Sequence, residues 1–257
     1  MALQPENTPS DGFLLYAHRG ASGYAPENTI AAFKRALDTG CERMELDVHL
    51  SADGVPVVIH DRKVNRTTDG NGPVESLSLA DIKKLDAGVK FSQQFAAERI
   101  PTLEEVFNLD KRMKFCIEVK GNGEEETLCH KVVELVHKYQ ADTDTIVSSF
   151  SRRAVQCVHK IDAELTTLWL VPRWWFGKKV ALKANEVGAK FVSGHATNIT
   201  FNKVQRLHDR GLKVQAWGTK SKERKIRALL DTGIDGMTSN WPDIVMRLLA
   251  ARGQKVV

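Results

Sequence analysis

The sequence predicts an α/β protein that folds as a (β/α)8 TIM barrel with a small insertion after the second barrel strand. Apolar, β-branched segments alternate with amphipathic helical segments about eight times, which favours a parallel sheet with helices packed outside it. The chain has 257 residues, which is the usual size of one closed barrel of this kind. The phrase LDTG occurs at 37–40 and again at 230–233, where a Gly ends a helix just before a strand.

Nine short segments rich in apolar and β-branched residues are the predicted strands. They are residues 14–18, 43–49, 55–60, 114–120, 145–150, 166–171, 189–193, 212–217 and 236–239. The second and third are joined by SADG, which is typical of a hairpin.

Eight segments between the strands carry the helical pattern of apolar residues. They are residues 29–38, 102–109, 124–139, 152–160, 177–187, 201–210, 222–232 and 242–251. In the first of them Ile30, Phe33 and Leu37 fall on one face, and Gly40 follows where a left-handed cap belongs.

Residues 61–101 break the alternation of strands and helices. They contain Asp-Gly, Asn-Gly-Pro and only one short amphipathic piece at 79–85. We interpret them as an inserted subdomain within a single barrel domain that covers residues 1–257. The insertion lies on a βα connection, and such connections build the active-site face of a barrel.

The composition indicates a globular protein with a real core. Hydrophobic residues make up 42% and charged residues 27% of the chain, and no apolar run reaches the length of about 18 residues that spans a membrane. The polar start MALQPENTPSDG lacks the basic and apolar parts of a secretory signal. We therefore expect a cytoplasmic protein.

The charge pattern suits an anionic small molecule better than a nucleic acid. The net charge is +5 and the pI about 9.0, but the lysines and arginines are dispersed and form no basic tract. The four cysteines are widely spaced and form no CxxC pair, so the sequence does not support a zinc or redox motif.

Acidic residues recur on predicted strands. Glu45 and Asp47, in CERMELDVHL, are two apart and share one strand face, and Glu118 and Lys120 do the same in KFCIEVKG. Buried acids on one face repel each other unless a positive group lies between them. Three carboxylates are hard ligands, so we expect one divalent cation, Mg²⁺ or Ca²⁺, with Mn²⁺ also possible. The alternative is that the acids are salt-bridged at the surface.

Two histidines end predicted strands at the same edge. His18 ends the first strand and Arg19 follows it, and His60 ends the hairpin. A histidine pair can supply a base and an acid in one reaction cycle, while Arg19 and Lys120 add positive charge for an anion. A metal site, an anion clamp and two histidines together indicate phosphoryl-transfer chemistry.

The same segments resemble a known family. AHRGASGYAPENTIAAFKRAL, MELDVHLSADGVPVVIHD, IEVKG, VSSF and VQAW, in this order from about residue 14 to 245, are similar to the motifs of glycerophosphodiester phosphodiesterases. The resemblance implies a TIM-barrel hydrolase of lipid and glycerol metabolism that cleaves glycerophosphodiesters to glycerol 3-phosphate and an alcohol. It places the family insertion after the second strand, where residues 61–101 lie.

The resemblance also implies a role for each matching residue. The cation ligands would be Glu45, Asp47 and Glu118, and the general acid and base would be His18 and His60. Phosphate would be contacted by Arg19 and Lys120, and the pocket would be lined by Phe150 and Trp217. The residues that brace the first loop would be Glu27 and Asn28. For Asn28 a helix cap is an equally good interpretation. The attacking group would be water or the neighbouring glycerol 2-hydroxyl.

Two features stand outside this pattern. Where the family often has Thr-Asp-x-Pro, residues 238–242 read TSNWP, so an acid is missing and substrate recognition could differ. The segment VPRWWFGKK at 171–179 could cover a head group such as choline, touch a membrane surface transiently, or pack on neighbouring loops. His195, after the sixth barrel strand, lies on the same rim, and His49 shares the strand face of Glu45.

Other functions remain open at this point. A lysophospholipase D would use the same metal site on a substrate with an acyl chain, and a non-catalytic barrel could bind phosphorylated ligands. Neither the head group nor the oligomeric state follows from the sequence.

Overall fold

A computed structural model of the chain describes residues 12–120, 123–173 and 179–257. Nine strands of these residues lie in one sheet. They are β1 (Leu14–His18), β2 (Arg43–Leu50), β3 (Pro56–Val58), β4 (Lys114–Val119), β5 (Thr145–Ser149), β6 (Thr166–Leu170), β7 (Phe191–His195), β8 (Lys213–Trp217) and β9 (Gly236–Ser239).

The sheet closes on itself through β1. This strand pairs in parallel with β2, where His18 lies opposite Glu45, and with β9, where Ala17 lies opposite Ser239. Eight parallel strands therefore form a closed barrel, and β3 pairs antiparallel with the end of β2 outside it. The predicted (β/α)8 barrel is confirmed.

The described residues form nine α-helices, of which eight surround the barrel and one, Leu79–Ile82, lies within residues 61–101. They are α1 (Ile30–Asp38), α2 (Leu79–Ile82), α3 (Leu103–Phe107), α4 (Glu125–Lys138), α5 (Arg152–Ile161), α6 (Val180–Glu186), α7 (Phe201–His208), α8 (Glu223–Leu230) and α9 (Pro242–Ala250). Most predicted helices extend one or two residues too far, because capping residues continue the sequence pattern without helical dihedrals. Thr29 shows this: it is the N-cap of α1, and its side chain accepts a hydrogen bond from the Ala32 N–H.

Alternation along the strands separates two apolar layers. In β1, Tyr16 points into a cluster inside the barrel with Leu168 and Phe191. Its neighbours Leu15 and Ala17 belong to the larger cluster between the strands and the helices. Side chains thus fill the barrel interior below its mouth.

The insertion at 61–101 has an apolar cluster of its own. Its buried members, together with two residues of the preceding hairpin, are Val57, Ile59, Val64, Val74, Ile82, Ala87 and Ile100. The Asp86 carboxylate accepts hydrogen bonds from the backbone N–H groups of Gly88, Val89 and Ala97. The apolar cluster packs residues 61–101 against the hairpin that follows β2.

Membrane-spanning helices are absent from the part of the chain that the structure describes. None of its helices combines the length and the apolar composition that crossing a lipid bilayer requires.

Candidate active site

Three carboxylates meet at the carboxyl end of the barrel. Glu45 and Asp47 leave the same face of β2, and Glu118 lies beside Asp47 in the register between β2 and β4. One oxygen from each lies within 4.8 Å of the others, and all three side chains are buried. The predicted convergence of these acids is therefore present in the fold.

Burial and mutual repulsion raise the pKa of two of these acids. Burial and the charge of Asp47 raise the pKa of Glu45 well above its usual value. Burial raises the pKa of Glu118 to about 7. Burial alone would also raise the pKa of Asp47, but the charges of Lys120 and Arg19 hold it well below its usual range. The site thus carries more buried acid than its own cations neutralise.

Lys120 lies one residue beyond the end of β4, between two of the acids. Its Nζ is 2.8 Å from Asp47 Oδ1 and 2.6 Å from Glu118 Oε1. Burial would lower the pKa of this ammonium, but the two carboxylates raise it to about 12. Lys120 is therefore a charged group at neutral pH.

Arg19 contacts the acids with both its backbone and its side chain. It adopts a left-handed φ of 57°, which is uncommon for a non-Gly residue and typical of functional sites. Its N–H lies 3.0 Å from Glu45 Oε2. The guanidinium Nε is 3.3 Å from Asp47 Oδ2, and Nη1 donates to Glu27 Oε1 at 2.7 Å.

Asn28 contacts the carboxylates and does not cap α1. Its Nδ2 donates to Asp47 Oδ2 at 2.8 Å, and its side chain is buried. The cap is the next residue, Thr29. Of the two interpretations of Asn28, the bracing contact is the one present in the fold.

His18 lies across the seam of the barrel from a residue that the sequence did not single out. Its Nδ1 is 2.6 Å from the Asn240 side-chain oxygen, and its Nε2 is 3.9 Å from Glu45 Oε2. Burial and the charge of Arg19 lower the pKa of His18 to about 4. In the sequence, position 240 is visible only as a departure from the Thr-Asp-x-Pro pattern. That departure predicts a change in substrate recognition and not a contact with His18.

His60 follows β3 in a loop, two residues beyond the end of the strand. Its Nδ1 is 2.6 Å from the Asp61 carboxylate. His49 Nε2 lies 3.0 Å from the His60 carbonyl oxygen, so His49 braces the loop. Burial lowers the pKa of His60, while the charge of Asp47 opposes that shift.

A cavity of about 310 Å³ opens at the barrel mouth, and the aromatic residues beside it form what we call the aromatic side of the mouth. His60, Glu118, Lys120 and Phe150 are among its lining residues. Phe150, 40% exposed, packs edge-on against Trp217 with ring centroids 5.6 Å apart.

A second ring contact extends this aromatic side of the mouth. His195 is the last residue of β7 and not a loop residue. Its ring packs edge-on against that of Trp217, with the ring centroids 4.7 Å apart. The predicted aromatic pair Trp174 and Trp175 lies outside the described residues, which omit 174–178.

The family model of glycerophosphoryl diester phosphodiesterases matches residues 18–244, which include every site residue described above. The chain belongs to this family. The enzyme class and the family predicted from the sequence motifs are thereby confirmed.

Relatives of similar length support the assignment. The glycerophosphodiester phosphodiesterase of Caldanaerobacter subterraneus is 38% identical, and the match covers 93% of this chain and 99% of that protein. A glycerophosphodiester phosphodiesterase of Bacillus subtilis is 33% identical, with 91% of this chain and 85% of that protein covered.

Solved structures of phosphodiesterases share the fold. An Oleispira antarctica phosphodiesterase, solved in complex with the product sn-glycerol-3-phosphate, is 30% identical with a TM-score of 0.88 over 94% of this chain and 98% of that one. An Agrobacterium tumefaciens glycerophosphodiester phosphodiesterase is 29% identical with a TM-score of 0.80 over 91% of this chain and 99% of that one.

Proposed function

We propose that this family member hydrolyses glycerophosphodiesters to glycerol 3-phosphate and an alcohol, with a divalent cation and two histidines. The observation that carries the proposal is the barrel mouth, where three buried acids, two cationic side chains and two histidines lie together, and where His60, Glu118 and Lys120 line one cavity. The product named for the Oleispira antarctica structure, sn-glycerol-3-phosphate, supports the same substrate class.

Glu45, Asp47 and Glu118 are the residues that would hold the cation. They fit this role because they offer only hard oxygen ligands, and because burial leaves Glu45 and Glu118 with raised pKa values that a dication would lower. When bound, Mg²⁺ or Ca²⁺ would polarise a phosphoryl oxygen. A second group, His137, Asp142 and Asp162, also has ligand atoms within 4.8 Å of one another, but it is largely exposed.

Arg19 and Lys120 would bind the phosphodiester. Both keep their positive charge beside the acids, and both face charge that develops on phosphorus in the transition state. Trp217 would support the pocket through its ring contact with Phe150, and its indole Nε1 is a buried donor without a partner among the described residues. Phe150, packed against Trp217, would form the apolar wall of the same pocket.

His18 and His60 would move the protons, and their partners differ. In both rings Nδ1 is engaged, which leaves Nε2 for the substrate. The Asp61 carboxylate stabilises a protonated His60, whereas the Asn240 amide gives His18 no such charge. This asymmetry favours His18 as the base that deprotonates the attacking water or glycerol 2-hydroxyl, and His60 as the acid that protonates the departing alcohol; attack by the 2-hydroxyl would give a cyclic phosphate that water then opens to glycerol 3-phosphate.

The assay that tests the proposed function measures release of glycerol 3-phosphate. Glycerophosphocholine, glycerophosphoethanolamine, glycerophosphoinositol and lysophosphatidylcholine are compared, each with Mg²⁺, Ca²⁺ or a chelator. We expect turnover of glycerophosphodiesters that depends on added cation. Release of choline from the lysolipid alone, with lysophosphatidic acid as the other product, would instead establish a lysophospholipase D, and no turnover of any substrate would contradict the proposal.

Cation binding should weaken as the pH falls. The pKa of Glu118 in the metal-free protein is about 7, so below pH 7 a proton competes with the cation for this carboxylate. We expect the apparent affinity for Ca²⁺ to drop as the pH falls below 7, by up to about tenfold per pH unit for this one carboxylate. Calorimetric titrations at several pH values check this, and an affinity that is constant from pH 5.5 to 8 would contradict it.

We further propose a cytoplasmic enzyme that acts on a small-molecule substrate as one barrel domain, with residues 61–101 as its inserted subdomain. The dispersed basic residues support a small-molecule substrate. The separate apolar cluster of the insertion supports the subdomain.

A further inference from the structure

Arg66, in the insertion, lies between two residues that contact the proposed catalytic groups. On one side Nη1 and Nη2 donate to Glu27 Oε2 and Oε1, both at 2.8 Å. On the other side Nε and Nη2 donate to Asp61 Oδ2 and Oδ1, at 2.6 and 3.0 Å. One guanidinium therefore forms two forked pairs with two carboxylates, a geometry that a lysine ammonium does not reproduce.

Each of these carboxylates holds one group of the barrel mouth. Glu27 Oε1 also accepts from the Arg19 guanidinium at 2.7 Å, and Asp61 Oδ1 lies 2.6 Å from His60 Nδ1. The chain of contacts thus runs from Arg19 through Glu27, Arg66 and Asp61 to His60. It links the first barrel loop, the hairpin and the insertion without passing through the three metal-ligand candidates.

Charge balance supports the same role. Burial would raise the pKa of Glu27, but the hydrogen bonds from Arg66 and the charge of Arg19 lower it. The hydrogen bonds from Arg66 hold the pKa of Asp61 far below its usual range. Without Arg66, Glu27 would keep one cationic partner and Asp61 would keep only His60, so both carboxylates could reorient toward solvent.

We propose that Arg66 is a positioning residue that aligns His60 and Arg19 at the same time, and that the insertion serves catalysis through it. The proposal rests on the proposed function, since it takes His60 as a proton-transfer group and Arg19 as a phosphate contact. Arg66 itself acts through its two carboxylates: four of its N–H···O bonds go to Glu27 and Asp61. Near half of its side chain is exposed, so it lies at the rim and not in the core.

The test compares Arg66→Lys with variants of the two carboxylates that Arg66 contacts, Asp61→Asn and Glu27→Gln. Arg66→Lys should lower kcat and raise KM, for a combined loss in kcat/KM of about 10- to 100-fold, the range expected for small misplacement of reacting groups. Asp61→Asn should act mainly on kcat, and Glu27→Gln mainly on KM. In the Asp61→Asn background, Arg66→Lys should cause little further loss of kcat, because both changes disrupt one unit.

A matched arginine at the other end of the barrel provides the control. Arg112 forms a forked pair with Asp110 just before β4 begins, and Arg112→Lys should leave kcat and KM unchanged. Added guanidinium at millimolar concentration should restore part of the activity of Arg66→Ala and none of that of His60→Ala.

Two outcomes would overturn the role of Arg66. One is wild-type kcat and KM in Arg66→Lys. The other is a loss that equals the unfolded fraction measured at the assay temperature, since that loss would reflect stability alone. Inactivity of His60→Ala beside a normal Arg66→Lys would remove only this inference, whereas normal activity of His60→Ala would remove the proposed function beneath it.

Discussion

Replacing His18 or His60 with alanine is expected to lower kcat at least ~100-fold, the usual contribution of a positioned acid or base. Each ring has its Nδ1 held by a side chain of another loop or of the next residue, which leaves Nε2 toward the substrate. Steady-state kinetics on glycerophosphocholine measures the effect. Near-normal turnover in both variants would refute their roles.

The leaving group separates the two roles. A diester that releases nitrophenol needs no proton on its departing oxygen, so His60→Ala should lose much less activity on it than on the choline ester. His18→Ala should lose similar activity on both substrates, because the attacking group, water or the glycerol 2-hydroxyl, still needs a base. His137→Ala, at the far end of α4, is the control and should match the wild type on both. Equal losses for His18 and His60 variants on the nitrophenyl substrate would contradict the assignment of base and acid.

Replacing Glu118 or Glu45 with glutamine is expected to lower activity about 100-fold or more at limiting Mg²⁺ or Ca²⁺. The substitution preserves shape but removes one negative charge from the three carboxylates, and a bound cation supplies several kcal/mol of stabilisation to a charged transition state. Activity is measured against cation concentration after treatment with a chelator. Calorimetry on the same variants reports the affinity itself.

The second acidic group of the described residues serves as the control for this experiment. Asp142→Asn changes the exposed cluster with His137 and Asp162 and should alter neither the activation nor the affinity. If Asp142→Asn weakens the activating cation while Glu118→Gln leaves it unchanged, the cation binds at the surface and the assignment of the barrel-mouth acids is wrong.

The sequence predicted the parts of this fold that follow simple periodicity. Alternation along β2 placed Glu45 and Asp47 on one face, and the repeated βα order placed the ends of the strands at one mouth. The barrel and the convergence of the acids could therefore be derived from the sequence alone. The ends of elements were less certain: His195 closes β7 although the predicted strand stopped at residue 193, because the pattern loses contrast where Gly and Ser enter a strand.

The contacts between residues far apart in the chain could not be derived in this way. Arg66 lies in a segment without periodicity, and its contact with Glu27 spans 39 positions, which only the folded path of the insertion determines. Asn240 is 222 positions from His18. A local pattern carries no information about such pairs, so the departure at 240 was visible while its role was not.

The hydrogen bond between His18 and Asn240 joins the first strand of the barrel to the loop after the last. Two further contacts reinforce that junction, since Tyr24 donates to the Asp243 carboxylate and the Gly23 N–H donates to the Asn240 carbonyl. During translation, the histidine emerges from the ribosome long before its amide partner does. The contact that orients the His18 ring consequently forms only after residue 240 has been synthesised, and a nascent chain that stops short of this residue lacks it.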